Sequence, residues 1–598
     1  MSDYRVPMAD MRFLLFEVFQ ADKILGNMEE TNGVSADLIN AILEEAGKIA
    51  EGLLAPINRR GDLSGCHWQN GEVTTPEGFR EAYKAYAEGG WSGLTGNTDF
   101  GGQGMPKLLS AQIEEMLLAA NCSFALYTIL TTGATLTINE HASKVLKARY
   151  LPKMYAGDWT GTMCLTESHA GTDLGMIRTR AVPQGDGSYS ITGTKIFITA
   201  GEHDLTENII HLVLAKIPDA PPGPKGISLF LVPKFVVTDN SELTGARNNV
   251  TCGSIERKMG IKASSTCVMN FDGAKGWLVG EKNNGLSNMF TMMNYERLSM
   301  GLQANGLAES SYQTAAEYAR ERVQGRAPGG AATPDKTADP ILVHPDVRRM
   351  LLTMRANIMA GRALSMYAAL QLDIARFNAD ASARHKAQQL VALLIPVQKA
   401  NCTDRGFEAC VLGQQVLGGH GYVAEWGLEQ NVRDVRIAQI YEGANGIQAL
   451  DLMGRKTVRG GGKLLQVLVA EMDEFCSQHQ DYASMVPYLP YLEQCKQRLI
   501  RTTERVIQQA EINADEIGAA SYPYMELLGL SLYCFMWQRM LAAALHQQEI
   551  GTGNAAHLSG IIKTGNYFFT RLLPRTDSLA AEIAAGSDSL MALAEEEF

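Results

Sequence analysis

Met163-Cys164-Leu165-Thr166-Glu167-Ser168-His169-Ala170-Gly171-Thr172-Asp173 marks the point at which the chain changes character. Upstream, residues 1 to about 160 read mainly as helices. In Ser110 to Ala120, Ile113, Met116, Leu117 and Ala120 share one helical face, with Glu114 and Glu115 off it. Gly89-Gly90 and Gly101-Gly102-Gln103-Gly104 punctuate this region. Downstream the pattern shortens to strands: Ser188 to Thr199 after a Gly185-Asp186-Gly187 turn, Ile209 to Ala215, Gly226 to Pro233, and Thr266 to Phe271, ended by Asp272-Gly273. A small β domain over 161–280 follows from that spacing.

Helical patterning returns after Leu286. Ala304, Ala308, Tyr312, Ala315 and Ala319 fall on one face, and Val347, Leu351, Met354 and Ile358 form a second stripe behind Pro345 at a helix start. The Gly-, Pro- and Ala-rich segment 324–340 reads as the loop between these two helices. Further helices are expected over 384–417 and 440–453. Arg459-Gly460-Gly461-Gly462 then breaks the pattern before a last amphipathic stretch. The fold class is therefore α+β and multidomain: helical domain 1–160, β domain 161–280, helical bundle 281–460 and helical extension 461–598.

With 598 residues, one core cannot serve the whole chain. The net charge of −12, from 53 basic and 65 acidic residues, argues against a nucleic-acid surface. Ten scattered cysteines show no CxxC pair and no metal-ligand spacing, so free thiols and no metal are expected. The start of the chain carries charge and no apolar core of a signal peptide. The apolar run Leu527 to Trp537 is too short to span a bilayer. A cytoplasmic protein without integral membrane association is the expectation.

Four segments carry chemistry. In the opening segment, Thr166, a small-residue turn and Thr172 can present N–H and O–H groups to a polar ligand, or form a Ser/Thr turn at a domain boundary. In Lys195-Ile196-Phe197-Ile198-Thr199-Ala200-Gly201, Phe197 and Thr199 point to one face of a strand, which suits a flat heteroaromatic ligand and equally suits an ordinary strand. Gln415-Val416-Leu417-Gly418-Gly419-His420-Gly421-Tyr422 permits close backbone approach to a phosphate or sugar, or is a helix C-cap and turn. Tyr441-Glu442-Gly443-Ala444-Asn445-Gly446-Ile447-Gln448 offers Glu442 as a buried carboxylate whose raised pKa would make it a base, or as a helix N-terminal residue.

In this order and at these separations, the four segments resemble the acyl-CoA dehydrogenase family. Phe100-Gly101-Gly102-Gln103-Gly104, Lys258-Met259-Gly260-Ile261, Tyr295-Glu296-Arg297 and Tyr318-Ala319-Arg320-Glu321-Arg322 strengthen the resemblance, which covers about residues 80–455. It implies noncovalent FAD. Met163, Leu165, Thr166, Phe197 and Thr199 would lie around the isoalloxazine ring, and Thr172 near the phosphates. Arg322, Gln415, Gly418 and Gly419 would reach the cofactor of a neighbouring subunit, so a homo-oligomer is implied, a homodimer if the extension covers a tetramer surface. Glu442 would take the α proton of an acyl-CoA while flavin takes the β hydride, giving a trans-2-enoyl-CoA as in the first step of fatty-acid β-oxidation. An electron-transfer flavoprotein would accept the electrons.

Some branches place the base before the arginine of Glu296-Arg297. This chain has both carboxylates, and Glu442 is preferred, with Arg297 orienting Glu296 or contacting substrate. Ala444, Phe197 and His420 replace a common Thr, Trp and Asn, and His420 reads as structural. The extension resembles those of the very-long-chain branch and of a bacterial branch acting on 3-methylthiopropionyl-CoA; Ala-Asn-Gly after Glu442 is closer to the second. Medium to long saturated acyl-CoA is the first expectation for substrate. An acyl-CoA oxidase, or a non-catalytic assembly role, is the competing expectation.

Overall fold

The computed structural model describes residues 4–31 and 33–598. It divides into two compact units, one of residues 45–106 and 116–299, the other of residues up to 44, 107–115 and 300–598.

The first unit is built on a seven-stranded sheet: β1 (Trp159–Cys164), β2 (Arg180–Pro183), β3 (Tyr189–Thr199), β4 (Asn208–Lys216), β5 (Ile227–Pro233), β6 (Val250–Ile255) and β7 (Thr266–Leu278). The order is β6-β7-β3-β2-β4-β1, and β5 pairs with both β7 and β4, so five strands close a ring. Period-two geometry sends alternate residues to opposite faces. Val213, Ala215, Phe230 and Val232 meet Ile191, Ile198, Met269 and Phe271 in one core. Ile210, Leu212, Leu214, Leu229 and Leu231 join a second core with Leu130, Ile138, Leu151 and Met154 of the preceding helices. This explains why β4 and β5 read as continuous apolar runs: both faces are covered.

One expectation changes here, and two details are added. β7 does not end at Asp272-Gly273 but continues to Leu278; the pairing with β3 shifts between Asp272 and Ala274, a bulge that absorbs the turn-forming pair. The region before 160 is helical apart from a hairpin, His67–Gln69 with Glu72–Thr74. Glu114 and Glu115, off the apolar face of their helix, are also buried, at 7% and 1% exposure.

In the second unit, Glu115 accepts from the Arg362 guanidinium at 2.7 and 2.9 Å, and Arg362 also donates to Glu309 at 2.8 Å. A carboxylate this deep persists because the guanidinium matches it. The alanine stripe is confirmed: Ala308, Ala315 and Ala319 pack with Leu351, Met354 and Ile358 of helix Pro345–Phe377 and with Ala409 and Val416 of helix Ala381–Leu417. No helix spans 440–453 as a single piece. Tyr441–Ala444 form a bend, and an α-helix begins only at Asn445. In the extension, helix Asp515–Glu549 is long and apolar enough to cross a membrane by length and composition, but 83% of its apolar window is buried inside the protein. Helices Leu489–Ile512 and Ala555–Tyr567 pack against it.

Candidate functional site

In the sheet unit, the first two motifs come together through the backbone. Ile196 and Phe197 stand opposite the single residue Val268, a bulge in β3, and the Ile196 N–H donates to the Thr166 carbonyl at 2.9 Å. Phe197 has φ 59°, left-handed for a bulky residue, and is 59% exposed. Such a conformation persists only where the surroundings fix it. Thr199 and Thr166 are half-buried, Ile198 between Phe197 and Thr199 is buried, and Met163 and Leu165 are buried. An exposed aromatic residue and two half-buried threonines thus sit on strand ends that the Ile196–Thr166 backbone bond ties together. Thr172 is exposed on the loop that follows.

What holds this arrangement escaped the sequence reading. Lys195 is fully buried, and its Nζ donates to the Leu165 carbonyl at 2.8 Å and to Glu167 Oε1 at 2.9 Å. Glu167 accepts in addition from the N–H groups of Arg178 (2.7 Å) and Thr179 (3.0 Å) and from the Thr179 hydroxyl (2.6 Å). Burial alone would raise the Glu167 pKa, but Lys195 and these donors bring it down to about 2. The pair therefore ties the end of β1 to β3 on either side of Thr166. The signal was present in the quoted motifs: a lone lysine inside an apolar strand needs a buried partner.

Glu296 lies in the same unit at 0% exposure. Its Oε1 sits so close to Gly133 that a Cβ there would come within 2.5 Å, which makes the glycine a requirement of helix packing. Arg297 is half-buried, donates to Asn294 at 3.2 Å and lies 5.8 Å from the Phe290 ring.

In the helical unit, Glu442 is half-buried rather than buried, and its φ is 56°. The Tyr441 hydroxyl donates to Gln303 Oε1 ahead of it. Behind it, Lys399 Nζ donates to the Gly443 carbonyl at 2.9 Å. The sequence reading missed Gln303 and Lys399 because both sit on helices far from the motif. Arg322, Gln415, Gly418 and Gly419 are exposed, and the Tyr318 hydroxyl bonds His420 Nδ1 at 2.9 Å. Tyr318 lies one turn before Arg322, so this bond brings the arginine's helix end to the glycine turn. His420 also stacks on Trp426 at 5.0 Å, in keeping with a structural role. Gly418 has φ 58° and ψ −133°, a backbone open only to glycine, and nothing stands within 4 Å of where a Cβ would point at Gly418 or Gly419.

Among the described residues no group of histidine, cysteine or carboxylate side chains could hold a metal ion. Four family models cover the chain: the acyl-CoA dehydrogenase N-terminal domain over residues 40–158, the middle domain over 162–274, the C-terminal domain over 283–456, and an acetyl-CoA dehydrogenase C-terminal-like domain over 468–594. The 3-methylmercaptopropionyl-CoA dehydrogenase of Ruegeria pomeroyi is 39% identical over 98% of this chain and 99% of its own. The broad-specificity linear acyl-CoA dehydrogenase FadE5 of Mycobacterium tuberculosis is 33% identical over the full length of both. Among solved structures, an acyl-CoA dehydrogenase from Bacillus anthracis complexed with FAD shares the fold, with a TM-score of 0.69 at 20% identity over 92% of this chain and 96% of its own.

Proposed function

The chain belongs to the acyl-CoA dehydrogenase family, and from that premise we propose that Glu442 is the base that removes the α proton of a saturated acyl-CoA. The cofactor is FAD, and the residues fit it. The exposed Phe197 and the half-buried Thr166 and Thr199 offer the aromatic and polar groups that a flat heteroaromatic ring with polar edges needs. The open glycine pair Gly418-Gly419 leaves room for a phosphate or sugar. In this reading Met163, Leu165, Thr166, Phe197 and Thr199 hold the ring and Thr172 lies toward the phosphates. Arg322, Gln415, Gly418 and Gly419 serve the cofactor of a second copy in a homodimer. FAD, when bound, supplies the acceptor for the hydride that leaves the β carbon.

One observation carries the assignment of the base: Glu442 is held in a left-handed conformation by anchors on both sides. A thioester α proton is too weakly acidic for an unaided carboxylate, so the carbonyl oxygen must be stabilised as charge develops there. The Glu442 backbone N–H is the donor we assign to that task. Its carboxylate accepts the proton. Fixing both functions in one residue lets a single turn set the distance between base and polarising donor.

The product is a trans-2-enoyl-CoA and the electrons pass to an electron-transfer flavoprotein, in cytoplasmic fatty-acid β-oxidation. Medium to long saturated acyl chains are the first reading for substrate. The 39% identity to the methylmercaptopropionyl-CoA enzyme over nearly the whole chain favours a short thioether-bearing acyl group as the second. Anaerobic addition of short, medium and long acyl-CoAs and of 3-methylthiopropionyl-CoA, followed by flavin absorbance, separates them. The acyl group that bleaches fastest at limiting concentration identifies the substrate. Bleaching by none of them overturns the reading.

A further inference from the structure

Lys399 lies in the middle of helix Ala381–Leu417 and is fully buried. An ammonium group taken out of water costs several kcal/mol unless its hydrogens are matched. Here Nζ donates to the Gly443 carbonyl and to Asn445 Oδ1, each at 2.9 Å. Asn445 is fixed in turn. Its amide nitrogen donates to Thr403 Oγ1 at 2.9 Å, to Asp404 Oδ1 at 2.8 Å and to the Ala400 carbonyl at 3.2 Å. Asp404 also accepts from Gln439 and from the Tyr522 hydroxyl, both at 2.6 Å. One stretch of helix, Lys399 to Asp404, therefore grips the chain at Gly443 and at Asn445, immediately after Glu442.

The grip falls where the backbone is least able to hold itself. Residues 441–444 belong to no helix or strand, and Glu442 and Gly443 both have positive φ, 56° and 82°. A non-glycine residue in that region is strained and relaxes unless its neighbours forbid it. At the Glu442 and Gly443 carbonyls, Lys399 donates to Gly443 O at 2.9 Å and Gln448 Nε2 reaches both at longer range, 3.3 Å to Glu442 O and 3.4 Å to Gly443 O. The lysine bond is the shorter by 0.5 Å (2.9 against 3.4 Å), so it dominates.

We propose that Lys399 is a positioning residue for dehydrogenation: it holds the Gly443 carbonyl and Asn445, and so keeps Glu442 in the left-handed conformation from which carboxylate and N–H act together. This rests on Glu442 being the base. Lys399 itself touches neither substrate nor reacting atoms in this account.

The test uses full-length, flavin-loaded Lys399→Met and Asn445→Ala, with wild type and Glu442→Gln alongside. Misplacement of a reacting group by about 1 Å costs on the order of 100-fold. Lys399→Met is expected to lose about 10- to 100-fold in kcat with KM little changed, and to show a larger isotope effect with α-deuterated acyl-CoA, because proton removal becomes the slow step. Asn445→Ala, which removes one partner of the lysine, moves kcat in the same direction by less, and the double variant is no worse than Lys399→Met. A flavin-loaded Lys399→Met with wild-type kcat and isotope effect overturns the proposal. If Lys399→Met does not fold, an unchanged kcat and isotope effect in Asn445→Ala overturns it. Retained turnover in Glu442→Gln, or a wild type that no acyl-CoA reduces, would instead count against the assignment of the base.

Discussion

Replacing Glu167 with glutamine removes the charge that pairs with Lys195 while keeping the shape of the side chain. The Glu167 carboxyl titrates at about 2 in the folded protein against an ordinary value of 4.5, which corresponds to about 3 kcal/mol in favour of the ionised folded state. The substitution also leaves the Lys195 ammonium, at 0% exposure, without its counter-charge. Removing one partner of a buried pair costs about 3–5 kcal/mol, so that range is expected for the sheet unit. A melting midpoint lower by roughly 10 °C follows, and flavin retention should fall with it, since the pair ties β1 to β3 at Thr166. Because the folded value lies below the unfolded one, the contribution is complete above about pH 4.5 and is lost as pH falls toward about 2. Glu167→Gln should therefore flatten the acid limb of wild-type stability. The double variant Glu167→Gln/Lys195→Met should recover much of the loss, because the glutamine can still accept from the Arg178 and Thr179 N–H groups while the unpaired ammonium is gone. Melting curves of wild type, single and double variants from neutral pH downward provide the assay. A single variant as stable as wild type at neutral pH, with the same acid limb, would refute the reasoning.

Gly418→Ala forces a side chain into φ 58°, ψ −133° and should cost about 1–3 kcal/mol; since the glycine is exposed, flavin retention should fall more than the melting midpoint, measured side by side. Asp373 caps the start of helix Lys107–Ala120, accepting from the Lys107 and Leu108 N–H groups at 2.7 and 2.8 Å. Burial nevertheless pushes its pKa up to about 7, against those donors and Lys107. The folded state thus holds the proton more tightly than the unfolded, so the stabilisation is complete below 3.8 and is lost as pH rises through about 7. Wild type should lose stability between about pH 4 and 7 by an amount that Asp373→Asn does not lose, as thermal melts across that range will show.

The fold was legible wherever hydrophobic period and turn chemistry agreed. The continuous apolar runs 209–215 and 226–233 mark strands that the structure buries on both faces, and the alanine stripe of 304–319 names the face that its helix buries. It was misread where a local signal was absorbed by its context. Asp272-Gly273 is a strong turn pair, but here it sits in a bulge that lets β7 run on and close the ring of strands. The burial of Glu115 was not legible because its partner, Arg362, lies 247 residues away. The same reason hid the supports of the site. Phe197, Thr199 and Glu442 stand in recognisable motifs, whereas Gln303 and Lys399 act on Tyr441 and Gly443 from distant helices. The left-handed φ of Phe197 and Glu442 was not legible at all, since neither residue type favours it. It reports the surroundings, not the residue.

The most direct test of the central claim is the anaerobic reduction of bound flavin by the best acyl-CoA in wild type, Glu442→Gln and Glu296→Gln. The account predicts that wild type and Glu296→Gln bleach, while Glu442→Gln binds the thioester and stays oxidised. Bleaching by Glu442→Gln at the wild-type rate would contradict it and move the base to Glu296.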